Sequence, residues 1–352
     1  MGQNDQMSVP THQACENRNA PSRRELLGGI ASFSVMLSMA DASSAQPVAG
    51  RTGLAYVSAE KSNAVFVVDP QKLQITKTIK TSRRPRDMHF SGDRARLYVA
   101  CGDADTIDVI DTAKGEVVSR IKTGKSPELF AVDEKRRRIY VAAEDDSELE
   151  ILDLDRGLRV GAIKTGGEPE GVILADDGRT IYVTSEVANL VHVIDAEKGA
   201  IVKDIVVGNR PRRFALANGA KELWVTCELS GEVTVIDREK MVVAGRIVFQ
   251  PPGMQRSDVT PVGMAMSPDG KKAYVGLGQA AHVAEVDVAT RQVTGYILVG
   301  KRPWGLATSR DGKRLWVANG MSDDVTVIEL PSRKPLASFA AGRTPWGIAI
   351  DD

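Results

Sequence analysis

Short apolar runs, many alternating apolar with polar positions, follow one another from Leu54 to Ile350, broken by charged or glycine-containing turns. Residues 127–164 contain four of them: ELFAVD, RIYVAAE, LEILDLD and LRVGAIKTG. Each is strand-length and rich in Val, Ile, Leu or Tyr, as a half-buried strand requires. No stretch places apolar residues at the 3.6-residue spacing of an amphipathic helix. Asp-Gly separates the first two runs in LADDGRT, SPDGKK and SRDGKR, a pair suited to the positive-φ positions of a tight hairpin.

The pattern repeats. An aromatic followed by Val occurs at Tyr56, Tyr98, Tyr140, Tyr182, Trp224, Tyr274 and Trp316, with spacings of 42, 42, 42, 42, 50 and 42. Prolines at 85, 127, 169, 211, 261, 303 and 345 keep the same spacings, and so do Asp69, Asp111, Asp153, Asp195, Asp237 and Asp287, with Glu329 last. Four antiparallel strands per ~42 residues is the period of a propeller blade, which buries both faces only by stacking on its neighbours. The first unit begins at LAYVSAE with a second strand, and the last phrase, RTPWGIAIDD, supplies only a first strand. The two halves complete one blade. The sequence therefore predicts an all-β, seven-bladed propeller of four-stranded antiparallel blades over 51–352. Its ring is closed by N- and C-terminal strands in one blade, which removes an exposed edge. The repeated Asp is read as a cap on the turn that follows it.

The first 45 residues differ in kind. Arg23 and Arg24 precede a short apolar stretch from Leu26 to Ala40 and the small residues Ser43, Ser44 and Ala45. This order matches a twin-arginine export signal, and about 15 mixed residues fall short of the ~20 needed to span a bilayer. The expectation is a signal over 1–45, export to the periplasm, and no membrane span once it is removed. Cys101 and Cys227 are then the only cysteines, too few for a disulfide framework or a covalent haem attachment, and are expected as free thiols. With 46 basic and 46 acidic residues, nothing in the charge points to nucleic acid.

The YVT/WVT, VxVID and VGxxP phrases resemble the YVTN-type β-propeller repeat, whose usual Asn after Tyr-Val-Thr survives here only at Asn319. The stretch 246–300, with its eight-residue Pro-Pro-Gly insertion, and the closing GRTPWGIAI are similar to one subgroup. Those are the seven-repeat propellers associated with pyrroloquinoline quinone (PQQ)-dependent alcohol catabolism. The resemblance implies an exported accessory protein that partners a quinoprotein alcohol dehydrogenase or a c-type cytochrome. It supplies no catalytic residues.

Candidate chemistry lies where loops converge on the central channel: before and after each proline, and at the ends of the second strands. The mouth reads unevenly. Arg83, Arg84 and Arg86, Lys301, Arg302 and Trp304, and Arg343 and Trp346 come from three blades that closure makes neighbours. Glu128 and Glu170 come from the next two, and Arg212 from the one after. This predicts a cationic, Trp-bearing sector fit for a carboxylate-rich ligand such as PQQ, or for an acidic patch on a partner. Binding there would be salt-sensitive. Replacing Arg84, Arg86 and Arg302 by Ala is expected to weaken it with little change in stability. The competing reading is a metal-dependent lactonase or hydrolase using Glu60, Glu144, Glu186 and Glu228, into whose ring Arg86 and Arg212 intrude. His89, His192 and His282 fall on different blades and are read as blade residues. The sequence thus favours a monomeric binding protein with no catalytic residues, no metal and no resident cofactor.

Overall fold

The computed structural model describes residues 51–352; the signal expected over 1–45, with Cys15, lies outside them. Seven four-stranded antiparallel sheets succeed one another. In blade 1 the strands run in the spatial order Pro345–Asp351, Leu54–Ala59, Ala64–Asp69, Gln74–Lys80. Blades 2 to 7 follow over 85–122, 127–164, 169–206, 211–248, 261–298 and 303–340, each in simple up-and-down order with its proline opening the innermost strand. Proline suits that place because the first residue of a strand need not donate to the ladder. The closing strand pairs Ala55 with Ile350 and Val57 with Ile348, and Asp351 accepts from the Thr52 backbone N–H at 2.7 Å.

The aromatic of every unit is buried, from Trp224 at 0% to Tyr98 at 6% exposure, and these side chains lie between blades. Seven apolar cores result, each built from two neighbouring sheets. Tyr98 packs with Phe130 and Val141 of the next blade, and Trp316 with Val57 of blade 1. The stacking predicted from the repeat is thus what buries the sheets' faces. Each repeated Asp caps its turn as expected: Asp69 accepts from the backbone of Gln71 and Lys72, and Asp195 from that of Glu197 and Lys198. The Asp-Gly hairpins put Gly270 and Gly312 at φ of 68°. Only three short 3-10 turns interrupt the strands among the described residues. Cys101 and Cys227 are free and buried, on blades 2 and 5.

The inner strands bulge just after the proline, where the pairing shifts between Pro85 and Met88, and again between Pro211 and Phe214. The bulge sets two successive residues toward the channel region. The second of these is glycine in four blades, and the reason is a close approach. A Cβ on Gly263 or Gly305 would collide with the backbone carbonyl of Trp304 or Trp346 in the next blade.

Candidate functional site

Seven side chains one position after the prolines form a ring across the channel: Arg86, Glu128, Glu170, Arg212, Val262, Trp304 and Trp346. Above them the residue before the proline takes a left-handed conformation at Arg84, Ser126, Glu168, Arg210, Arg302 and Thr344, with φ from 53° to 60°. Non-glycine residues adopt this shape at a cost, and here it lets Arg84, Arg210 and Arg302 reach inward. The second strands end at the same level and bring Glu60, Glu144, Glu186 and Glu228.

These charges do not sort into a basic and an acidic sector. They pair across blade boundaries. Arg86 binds both Glu60 and Glu128, and Arg84 reaches Glu128 at 3.0 Å and Asp103 at 3.5 Å. On the other side Arg212 binds Glu186 and lies 3.2 Å from Glu170. Arg210 lies 2.8 Å from Glu186, and Arg302 closes on Glu228 at 2.5 Å. The first group holds two arginines and two glutamates; the second holds Arg210, Arg212 and Arg302 against Glu170, Glu186 and Glu228. Both are neutral. Glu128, Glu170 and Arg212 are at most 4% exposed, so the floor of this layer is a desolvated plug, while Arg84 and Arg210 above it keep contact with water.

The expected cationic sector is accordingly replaced. Arg84, Arg86 and Arg302 are committed to carboxylates, and removing them would leave buried anions unpaired rather than spare the fold. The two tryptophans serve as platforms. Trp304 carries Arg302 at 4.4 Å and Arg212 at 5.5 Å from its ring centre, and the buried Trp346 carries Arg86 at 5.3 Å. Arg83, Lys301 and Arg343 stand apart, exposed on the rim and forming no ion pair among the described residues. Of the four glutamates weighed as metal ligands, three are held by arginine, and Glu144 accepts from Ser126 Oγ at 3.1 Å. Among the described residues no three His, Cys, Asp or Glu side chains converge as a ligand set. His192 is engaged within its blade, by Asp204 at 2.7 Å and the Gly166 N–H at 3.0 Å.

Burial and the Glu170 charge push Glu186 up to about 7 against the pull of Arg212 and Arg210. Glu170 is also desolvated, but Arg212, Arg86, Arg213 and Arg84 together hold it below the usual carboxylate range. Glu186 thus binds its proton more tightly folded than unfolded. Its contribution to stability is fully present below pH ~4.5 and is lost as pH rises through about 7. Glu186→Gln is expected to flatten the melting temperature between those values. Thermal melts of both proteins across the window check this, and parallel profiles would show that Glu186 titrates normally.

One residue that the sequence reading passed over sits beneath the plug. Arg213 lies inside the channel, stacked on the Trp346 ring at 4.0 Å, and its buried Nε and Nη2 have no acceptor. The available signal was register: Arg213 occupies the second position after the proline, where four of seven units have glycine.

The sequence of residues 51–309 matches the family of YNCE-like beta-propellers. Among solved structures, the chain resembles Kuenenia stuttgartiensis hydrazine synthase, with 23% identity over 78% of this chain and 91% of that one, and a TM-score of 0.71. A proposed 6-phosphogluconolactonase from Bacteroides fragilis gives 17% identity, 87% and 100% coverage and a TM-score of 0.72. Dihydro-heme d1 dehydrogenase NirN gives 15% identity, 85% and 75% coverage and a TM-score of 0.65. At these identities the likeness is one of fold. No curated protein matches the sequence. With its seven blades and a match covering most of its length, the chain belongs to the YNCE-like beta-propeller family.

Proposed function

We propose that this chain is an exported, non-catalytic propeller that docks a protein of periplasmic quinoprotein alcohol oxidation, either the PQQ-dependent alcohol dehydrogenase or its c-type cytochrome. One observation carries the binding part. The five large apolar side chains of the described residues that exceed 60% exposure are Val187, Val206, Leu229, Leu298 and Met321. All five lie on the mouth face, and all belong to blades 4 to 7. The register makes the asymmetry plain. The outer strand ends in Lys80, Lys122 and Lys164 in blades 1 to 3, but in Val206, Val248, Leu298 and Ala340 in blades 4 to 7. The second position after the second-strand end is Lys61, Asp103 and Asp145 on one side, and Val187, Leu229, Gln279 and Met321 on the other. An apolar arc beside a charged one is the composition of a protein-docking face.

The pathway and the periplasmic location rest on the twin-arginine pattern and on the subgroup resemblance of 246–300. Metal-dependent hydrolysis draws no support from the mouth, because arginines occupy three of the four carboxylates it would need. Docking buries apolar side chains at roughly 1.5–3 kcal/mol each, and every 1.4 kcal/mol is tenfold in affinity. The Val187→Asp, Leu229→Asp, Met321→Asp variant is therefore expected to bind the purified dehydrogenase or cytochrome at least tenfold more weakly, with an unchanged melting temperature. Calorimetric titration of both partners against parent and variant measures it. Failure of the parent to bind either partner, or equal binding by the variant, would remove this reading.

A further inference from the structure

Below the plug lies a cavity of about 270 Å³ that draws its walls from all seven blades. The walls are apolar on most sides: Leu129, Ile173, Phe214, Met264, Leu306 and Ile348. Gly305 and Gly347 leave backbone where other blades place side chains. Polar groups are few. Asp87 and His89 pair with each other at 2.9 Å, and His89 is half-exposed, marking the end of the channel opposite the mouth. The remaining polar group is Arg213.

A guanidinium in such a place should be paired. Arg213 is not. Among the described residues it forms no ion pair, and its buried Nε and Nη2 meet no protein acceptor. Its backbone N–H does donate, to Thr226 Oγ1 at 3.0 Å, which holds the strand rather than the side chain. Asp87 and Glu170 are close enough to attract it, yet burial prevails and pushes its pKa down to about 10. Trp346, beneath its flat face, fixes its orientation, and the Trp346 Nε1 is buried without an acceptor as well. The residue as a whole is half-buried, but its Nε and Nη2 are shut off from solvent, and leaving such charged donors unsatisfied is costly unless a water, an ion or a ligand completes them. The neighbouring plug makes the contrast. Every arginine of that layer has its carboxylate, within one residue of the arginine that has none.

We propose that this cavity is a binding site for a small organic monocarboxylate, whose carboxylate pairs with Arg213 and whose hydrocarbon body lies against Leu129, Ile173, Phe214, Met264 and Leu306. One free guanidinium suits one carboxylate, which it can grip by two parallel hydrogen bonds. The apolar wall selects against inorganic anions, which would have to shed water on every other side. The tricarboxylate PQQ has no second or third cation here, since Arg86 and Arg212 are taken. The site enters from the end opposite the docking face, so it stands or falls separately from the partner reading.

Benzoate, benzyl alcohol and inorganic phosphate are the probes, titrated calorimetrically into the mature protein. Benzoate is expected to bind and to raise the melting temperature. Benzyl alcohol, which keeps the ring without the charge, and phosphate, which keeps a charge without the ring, are each expected to bind at least tenfold more weakly. Arg213→Met keeps the stem on Trp346 and should abolish benzoate binding while remaining folded by circular dichroism. Should Arg213→Met fail to fold, Leu306→Trp, which fills the cavity from the far wall, is expected to block benzoate and leave Arg213 in place. Benzoate that binds Arg213→Met or Leu306→Trp as it binds the parent, or that binds the parent no better than benzyl alcohol, would overturn the proposal.

Discussion

Removal of residues 343–352 is expected to abolish cooperative unfolding near the parent's melting temperature, an effect far beyond that of trimming an ordinary tail. The segment is the inner strand of blade 1, and Leu54–Ala59 depends on it for one of its two ladders. Trp346 and Ala349 leave the core with it, and so does Asp351, which is fully buried and holds Thr52 by both its backbone N–H and its hydroxyl. What remains is a six-bladed arc with an open inner edge, exposing unpaired N–H and C=O groups to other chains. The neighbouring cores of blades 7 and 2 each lose one wall. Calorimetry on the protein truncated after Gly342 tests this, and a single sharp transition at the parental temperature would contradict closure by the two chain ends.

Arg212→Met should be the most damaging single substitution at the mouth. The guanidinium is 4% exposed and touches Glu170, Glu186 and, at 3.7 Å, Glu228. Methionine fills the stem's volume but strands Glu170 in a desolvated layer and leaves Glu186 and Glu228 with Arg210 and Arg302 alone. Breaking a buried pair from one side costs about 3–5 kcal/mol, and in a domain of this size that lowers Tm by on the order of 10 °C. Adding Glu170→Gln and Glu186→Gln removes the stranded charge, so the triple variant is expected to recover most of the loss. If Arg212→Met melts with the parent, or the triple variant melts lower still, the layer is hydrated and the pairing contributes little.

The outline of the molecule was legible because it is carried by local repetition. Period-2 alternation names strands, Asp-Gly names hairpins, and proline and aromatic in fixed register name the inner strand and the inter-blade packing residue. Even closure followed from counting half-units. The mouth was legible as a list of residues and illegible as a site. Arg84, Arg86 and Arg302 read as a basic sector when charges were assigned blade by blade. They pair instead with Glu128, Glu60 and Glu228, up to 74 residues away in sequence. Arg213 looked like an ordinary neighbour of Arg212.

The amino-acid sequence by itself determined the strands, their number, the blade count and the strand that closes the ring, because each depends on spacings within one 42-residue unit repeated seven times. Only the tertiary structure decided which charges neutralise one another and which do not. Those outcomes depend on side chains from different units converging on one axis, where desolvation makes a partner 3 Å away decisive and leaves Arg213, one residue from a paired arginine, without one.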